Sequence, residues 1–189
     1  MSAQDSKLFV ISGPSGAGKG TLVTRVRERR SNLGLTVSAT TRAPRKGEVD
    51  GVNYFFLTRE EFDRRVANGE FVEWAEVHGN CYGTLVSEVT SKLASGASLI
   101  LEIDVQGALQ VKERFPEAVL IFIKPPSLEV LRERLVGRGT ETPETIELRM
   151  ANAADELALA DRYDDVVVND DLDLATDELV RVLDMHERI

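Results

Sequence analysis

The sequence predicts an α/β protein with an open, parallel sheet core and crossover helices. Three runs, residues 7–12, 98–104 and 118–124, are almost wholly apolar, as strands buried on both faces of a parallel sheet are. A shorter run covers residues 165–169, and segments with helical patterning alternate with all four runs. The chain has 189 residues, which suits one domain with its own core.

The first predicted strand leads into the stretch GPSGAGKGT, residues 13–21, and a helix is predicted over residues 19–30. A strand, a G-x-x-x-x-G-K loop and a helix in this order are typical of loops that cradle nucleotide phosphates. Lys19 is then expected to bridge the β- and γ-phosphates of a nucleoside triphosphate. The usual pattern has Ser or Thr directly after the lysine as a magnesium ligand, but here Gly20 comes first and Thr21 follows. We therefore expect Mg²⁺ to be held mainly by phosphate oxygens and water, and assign it no protein ligand.

Four further helices follow from apolar periodicity and capping signals. They are predicted over residues 107–115, over 128–136 with Ser127 as N-cap, from Thr142-Pro143 onwards, and over 172–185. Residues 36–84 break the strand–helix rhythm with a polar loop, two short strand-like runs and a helix that opens at Thr58. We interpret this section as an insertion beside a core of residues 1–35 and 85–189, and residues 137–149 as a flexible lid.

Composition excludes several classes of function. The net charge is −9 and the isoelectric point about 4.9, so sequence-independent binding to nucleic acid is not expected. No apolar run is long enough to cross a membrane, and no signal peptide is visible at the N-terminus. Cys81 is the single cysteine, which favours a cytoplasmic location. His78 and His186 show no metal-ligand spacing, and the oligomeric state stays open.

A loop in the insertion is rich in positive charge. Arg42, Arg45 and Lys46 lie within five residues, in a segment that also contains proline and glycine. Arginine binds phosphate through forked, charge-assisted hydrogen bonds, and Glu48 is close enough in sequence to orient one of these side chains. A second phosphate site and a merely exposed basic loop are both compatible with this pattern.

The chain resembles the guanylate kinases over nearly its whole length. The resemblance is carried by GPSGAGKGT, SATTRAPRKGEVDGVNYFF, FVEWAEVHGNCYGT, LEIDVQG, IKPPS, RLVGRGTET and VVNDD, in this order and spacing. It implies a P-loop nucleoside monophosphate kinase fold with a small inserted GMP-binding subdomain and a flexible lid. It also implies transfer of the γ-phosphoryl group of ATP to GMP, with Mg²⁺ as cofactor and the two nucleotides as partners.

The resemblance further implies roles for individual residues. ATP would be bound by Gly13, Pro14, Ser15, Gly16, Ala17, Gly18, Lys19, Gly20, Thr21 and Asn169. GMP would be bound by Ser38, Arg42, Arg45, Glu48, Tyr54, Glu73, Tyr82, Thr84, Glu102 and Asp104. Catalysis would rest on Lys19, Arg42, Arg134, Arg138 and Arg149. Asp104 would either complete the acceptor site or order water around magnesium, and the sequence does not choose between the two.

Two other functions are compatible with this architecture. The first is a non-catalytic guanylate-kinase-like module that binds proteins; the presence of Lys19, Arg138 and Arg149 argues against it. The second is a kinase for another nucleoside monophosphate. Glu73 and Ser38 argue for guanine, because adenine offers a carboxylate only one donor group on its pairing edge.

Overall fold

The computed structural model of the chain describes residues 6–77, 79–137, 139 and 142–187. Its strands are β1 Leu8–Ser12, β2 Gly34–Leu35, β3 Ala39–Thr40, β4 Phe55–Phe56, β5 Phe71–Val77, β6 Asn80–Leu85, β7 Leu99–Glu102, β8 Val119–Lys124 and β9 Asp165–Val168. Its α-helices are α1 Lys19–Arg29, α2 Arg59–Ala67, α3 Val86–Ala94, α4 Val105–Arg114, α5 Leu128–Gly137, α6 Pro143–Leu157 and α7 Leu172–Glu187. None of these helices is long and apolar enough to cross a membrane.

The main sheet has five parallel strands in the order β2-β7-β1-β8-β9. Side chains alternate between its two faces, so Phe9 and Ile11 pack towards α1 and α7, whereas Leu8 and Val10 pack towards α3 and α4. Helices therefore cover both faces, which confirms the predicted fold class. The carboxyl ends of all these strands meet at one edge, the position where open α/β sheets bind ligands.

A second sheet has the strand order β4-β3-β6-β5. Its β5 and β6 strands pair antiparallel, with Glu73 opposite Thr84, and β6 pairs with β3 through Tyr82 and Thr40. Phe62 of α2 stacks on Phe71 at a centroid distance of 4.3 Å and forms part of a small separate core. The four strands lie in the predicted insertion except that β6 extends one residue beyond it, to Leu85, and the sequence predicted only two of them.

Three helices start at the caps predicted from the sequence. Thr58 Oγ1 accepts the Glu61 N–H at 3.1 Å, Ser127 Oγ accepts the Val130 N–H at 3.2 Å, and Thr142 Oγ1 accepts the Thr145 N–H at 3.3 Å. The prediction for residues 98–104 was too long, since β7 ends at Glu102. Asp104 instead accepts the Gly107 N–H at 2.8 Å and starts α4 two residues earlier than predicted.

Candidate active site

The phosphate loop has a backbone that glycine alone adopts without strain at two key points. Gly13 has φ 140°, and a Cβ atom there would lie 2.2 Å from the Ile123 carbonyl oxygen. Gly18 has φ 90°, precedes the first residue of α1, and a Cβ there would lie 2.4 Å from Asn169 Nδ2. The loop therefore packs closely on β8 and on the residue after β9, and its curvature depends on these two glycines.

Three side chains hold this loop. Lys19 Nζ donates to the carbonyl oxygens of Gly13 at 2.6 Å and Pro14 at 3.1 Å, so the lysine curls back over the loop. Buried Asn169 donates from Nδ2 to the Ala17 carbonyl at 2.7 Å. Arg149 of α6 donates to Ser15 Oγ from the other side. Asn169 and Arg149 thus lie against the loop, as expected of residues that act on the same nucleotide.

Gly20 and Glu102 are neighbours. A Cβ atom on Gly20 would lie 3.5 Å and 3.7 Å from the two carboxylate oxygens of Glu102. Glu102 is the last residue of β7, its side chain is open to solvent, and the surrounding protein raises its pKa while Lys19 opposes that rise. The resemblance grouped Glu102 with the acceptor residues, but the structure places it beside the phosphate loop. Thr21 is exposed on the first turn of α1.

An arginine–tyrosine cluster lies on the second sheet. Arg42 Nη2 donates to both carboxylate oxygens of Glu48, at 2.9 Å and 3.0 Å, and its guanidinium carbon lies 5.4 Å from the Tyr54 ring centroid. The rings of Tyr54 and Tyr82 meet edge to face at 6.3 Å. Arg42 lowers the pKa of the Glu48 carboxyl, and the Arg45 backbone N–H, donating at 2.7 Å, adds to this. Glu48 therefore fixes Arg42, while the Arg45 side chain is exposed.

Glu73 is a buried carboxylate on β5, an edge strand of the second sheet. It is 7% exposed, and burial raises its pKa to about 7; nearby Thr84 lowers it and Asp104 raises it further. Thr84 Oγ1 is also buried and makes no hydrogen bond of ordinary geometry within the described ranges. Two buried polar groups without full partners form a site that a ligand with hydrogen-bond donors would complete. Ser38, whose carbonyl accepts the Phe55 N–H at 2.9 Å, is half-buried on the neighbouring strand segment.

The segment from residue 102 to residue 107 joins the two sites. At one end Glu102 lies by the phosphate loop, and at the other end a Cβ atom on Gly107 would lie 3.3 Å from Glu73 Oε2. Asp104 caps α4 on the Glu73 side. The two carboxylates that the sequence predicted together on one strand therefore lie at different ends of this segment, Glu102 beside the phosphate loop and Asp104 towards Glu73.

The lid arginines are only partly described. Arg134 Nη2 donates to the Asn169 carbonyl at 2.8 Å and so lies at the end of β9 rather than over the loop. Arg138, the third predicted lid arginine, lies outside the described residues, as does His78. His186 Nε2 lies 2.6 Å from Asp165 Oδ2.

A phosphate loop with a lysine and an arginine at one end, and a second sheet with an arginine–tyrosine cluster and a buried carboxylate at the other, define a P-loop kinase of nucleoside monophosphates. A family model for guanylate kinase matches residues 5–186, and the chain belongs to the guanylate kinase family. The predicted resemblance, fold class and enzyme class are confirmed.

Individual relatives agree with this assignment. The chain is 52% identical to the guanylate kinase of Halalkalibacterium halodurans over 97% of this chain and 90% of the relative. It is 57% identical to that of Gloeobacter violaceus over 94% of this chain and 87% of the relative. The crystal structure of guanylate kinase from Anaplasma phagocytophilum superimposes with a TM-score of 0.73 at 38% identity, covering 96% and 86% of the two chains.

Proposed function

We propose that the site described above performs the guanylate kinase reaction as follows. The chain transfers the γ-phosphoryl group of ATP to GMP, giving ADP and GDP. The observation that supports the choice of acceptor is the buried Glu73 carboxylate beside an arginine–tyrosine cluster, at the far end of the segment that starts at the phosphate loop.

ATP would be bound at the phosphate loop. The N–H groups of the loop and the start of α1 offer donors and partial positive charge to the β- and γ-phosphates. Lys19 would leave the carbonyls of Gly13 and Pro14 and contact the phosphate oxygens, which are stronger acceptors for an ammonium group. Asn169 holds the loop at Ala17 and would lie near the adenine end of the nucleotide.

Mg²⁺ would be held chiefly by phosphate oxygens and water, with Glu102 as the nearest carboxylate. The donor set fits a hydrated ion, because Glu102 faces Gly20, the position where the usual loop carries a hydroxyl. Within the described residues no group of three or more acidic, histidine or cysteine side chains is arranged to hold a metal. When bound, Mg²⁺ supplies charge neutralisation to the transferring phosphoryl group.

GMP would be bound across the second sheet. The carboxylate of Glu73 offers two acceptor oxygens to guanine N1–H and the exocyclic amine, and the Thr84 and Ser38 hydroxyls would complete the base site. Arg42, fixed by Glu48, would bind the GMP phosphate together with Arg45 and the hydroxyls of Tyr54 and Tyr82.

Catalysis then consists of alignment and charge stabilisation. The phosphoryl group passes in line between two oxygens, and no covalent enzyme intermediate is needed. Arg149 already contacts Ser15, so its guanidinium is close to the developing charge; Arg138 is proposed to join it from the lid, residues 137–149. We assign Arg134 the more limited role of supporting the backbone at Asn169. The core and insertion boundaries and a cytoplasmic location stay predictions.

The test is ADP release from MgATP with GMP, AMP, CMP or UMP offered separately at equal concentration. We expect rapid turnover with GMP alone. Turnover with several acceptors would contradict base reading by Glu73. GMP binding without turnover would instead favour a non-catalytic binding module.

A further inference from the structure

Strand β5, which carries Glu73, packs against the core helix α4. Val72, the residue before Glu73, is buried in the same apolar cluster as Val105, Ala108 and Val111 of α4. The insertion is therefore joined to the core directly before the carboxylate that is proposed to recognise guanine. A side chain is placed most precisely when its strand is packed on a regular element, so α4 is in a position to set the place of Glu73.

Arg114, the last residue of α4, holds the start of β5. Its Nη1 donates to the Phe71 carbonyl at 2.8 Å, and its Nη2 donates to the Gly69 carbonyl. Both acceptors lie where the chain passes from α2 into β5, and Phe71 is two residues before Glu73. Because the donors of a guanidinium form a rigid fork, two hydrogen bonds from one arginine fix both the position and the direction of this segment.

The pairing of β5 with β6 is irregular between Phe71 and Glu73. Phe71 pairs with Leu85 and Glu73 pairs with Thr84, so β5 advances two residues while β6 advances one. Bulges of this kind are frequent next to active sites, where they redirect a side chain. The irregularity lies between the carbonyl that Arg114 holds and the Glu73 side chain. The direction of that side chain therefore depends on contacts outside the strand pairing.

The other end of α4 meets the carboxylate itself. Gly107 is buried in the first turn of the helix, although alanine is more favourable than glycine inside a helix. A Cβ atom on Gly107 would lie 3.3 Å from Glu73 Oε2 and 3.4 Å from Ile103 Cδ1. The Glu73 carboxylate thus lies against the space that a side chain on Gly107 would fill. The position of Glu73 accounts for the glycine.

We propose that α4 positions Glu73 for guanine recognition, with Arg114 and Gly107 as the two positioning residues. Arg114 fixes the backbone of β5 before the carboxylate, and Gly107 leaves the space beside which the carboxylate lies. Both act through Glu73 and not on the nucleotide. This inference rests on the function proposed above and deepens it, because it names residues of the core that determine which base the insertion accepts.

The readout is discrimination between GMP and inosine monophosphate (IMP), whose base lacks the exocyclic amine of guanine. A correctly placed Glu73 accepts one hydrogen bond from N1–H and one from the amine, so IMP leaves one carboxylate oxygen without its partner. The ratio of kcat/KM for GMP to kcat/KM for IMP therefore reports the placement of the carboxylate. A smaller fraction of folded protein lowers both values equally and leaves the ratio unchanged.

Arg114→Met removes both hydrogen bonds and keeps most of the apolar stem. We expect KM for GMP to rise about fivefold and the GMP/IMP ratio to fall about threefold or more, while KM for ATP changes by less than about twofold. Arg114→Lys, which keeps a charged donor, should recover part of the ratio. The matched control is Lys112→Met, because Lys112 also donates from α4 to a backbone carbonyl, that of Ala118 at 2.7 Å, but within the core. This control should leave the ratio unchanged.

Gly107→Ala tests the contact at the other end of the helix. The added methyl group must displace the Glu73 carboxylate, so the GMP/IMP ratio should again fall about threefold. In a Glu73→Gln background, Arg114→Met and Gly107→Ala should each change the ratio by less than about twofold, because the carboxylate is already absent. Thermal unfolding shows whether each variant is folded at the assay temperature, and Arg114→Lys is read in place of Arg114→Met if the latter unfolds.

Three results would overturn the inference. An unchanged ratio in Arg114→Met or in Gly107→Ala would remove that residue from the proposal, and an equal fall in Lys112→Met would show that any weakening of α4 has the same effect. A fall that persists in full in the Glu73→Gln background would mean that these residues do not act through Glu73. If the unmodified chain turns over no GMP, or turns over AMP equally well, the proposed function itself fails, whatever the variants do.

Discussion

The proposed GMP site predicts that GMP binding depends on pH through Glu73. Burial raises its pKa to about 7 in the ligand-free protein, whereas the carboxyl of an exposed glutamate titrates near 4.3. Guanine presents two donors, so the ionised carboxylate binds it and the protonated acid, which carries a donor of its own, does not fit. At pH 6 about one tenth of the protein has Glu73 ionised, and at pH 8 about nine tenths.

The affinity for GMP should therefore rise about tenfold from pH 6 to pH 8, because only the ionised fraction is competent to bind. The GMP phosphate also titrates near pH 6, so the Glu73→Gln variant is the control that subtracts the contribution of the ligand. Calorimetry at pH 7 in two buffers of different ionisation enthalpy should show release of about half a proton per GMP from Glu73. The variant should lack this proton and bind GMP more weakly by about 1–3 kcal/mol.

The same pKa predicts a stability effect of defined sign. Because the folded protein holds the Glu73 proton up to about pH 7 and the unfolded chain only to about pH 4.3, the folded state binds more protons in this window. The stability that Glu73 contributes is complete below the unfolded pKa and is lost as the pH rises through the folded pKa, in total about 4 kcal/mol. Relative to Glu73→Gln, unfolding free energy from urea titrations should fall between pH 5 and pH 8. Parallel curves for the two proteins, or a GMP affinity with the same pH dependence in both, would refute the reasoning.

Three further changes probe the rest of the site. Gly20→Ser puts a hydroxyl next to Glu102 and should lower the Mg²⁺ concentration needed for half-maximal rate; an unmoved magnesium titration would mean that the ion lies elsewhere. Glu48→Ala removes both carboxylate contacts of Arg42 and should raise KM for GMP about tenfold in a steady-state assay, with KM for ATP almost constant. Equal rises in both KM values would point to a general loss of structure in the variant. Asn169→Ala removes the hydrogen bond to the Ala17 carbonyl and should lower both the affinity for ATP and the free energy of unfolding, the latter by about 1 kcal/mol. The affinity for GMP, measured by calorimetry, should stay constant. Weaker GMP binding would argue against a role of Asn169 on the ATP side alone.

The main sheet and the phosphate loop could be predicted from the sequence because both have local signals. Apolar runs such as residues 118–124 report burial on two faces, and the loop is defined by glycine and lysine spacing. The second sheet is different. Strand β6, Asn80–Leu85, contains asparagine, glycine and threonine, and β3 has only two residues, so neither carries an apolar pattern. These strands exist because their neighbours pair with them, which sequence periodicity does not record.

The candidate site divides in the same way. Roles that follow from neighbouring residues, such as Glu48 orienting an arginine of its own loop, could be predicted, although the structure was needed to identify Arg42 as that residue. The separation of Glu102 from Asp104 could not be predicted from the sequence, because it depends on where β7 ends and on the Asp104 side chain, which caps α4.

In the proposed site, the burial that destabilises ionised Glu73 would also account for selection of guanine over adenine. Adenine presents one donor and one acceptor on its pairing edge, so it complements the protonated acid, while guanine complements the carboxylate. The protein must therefore keep Glu73 close to ionisation although the residue is only 7% exposed. Asp104 raises the pKa of Glu73, and Thr84 lowers it, so the two neighbours oppose each other around the point where either base would be accepted. GMP itself resolves this balance, because its two donors stabilise the ionised form on binding, whereas AMP would have to bind the protonated form and would lose it as the pH rises above 7.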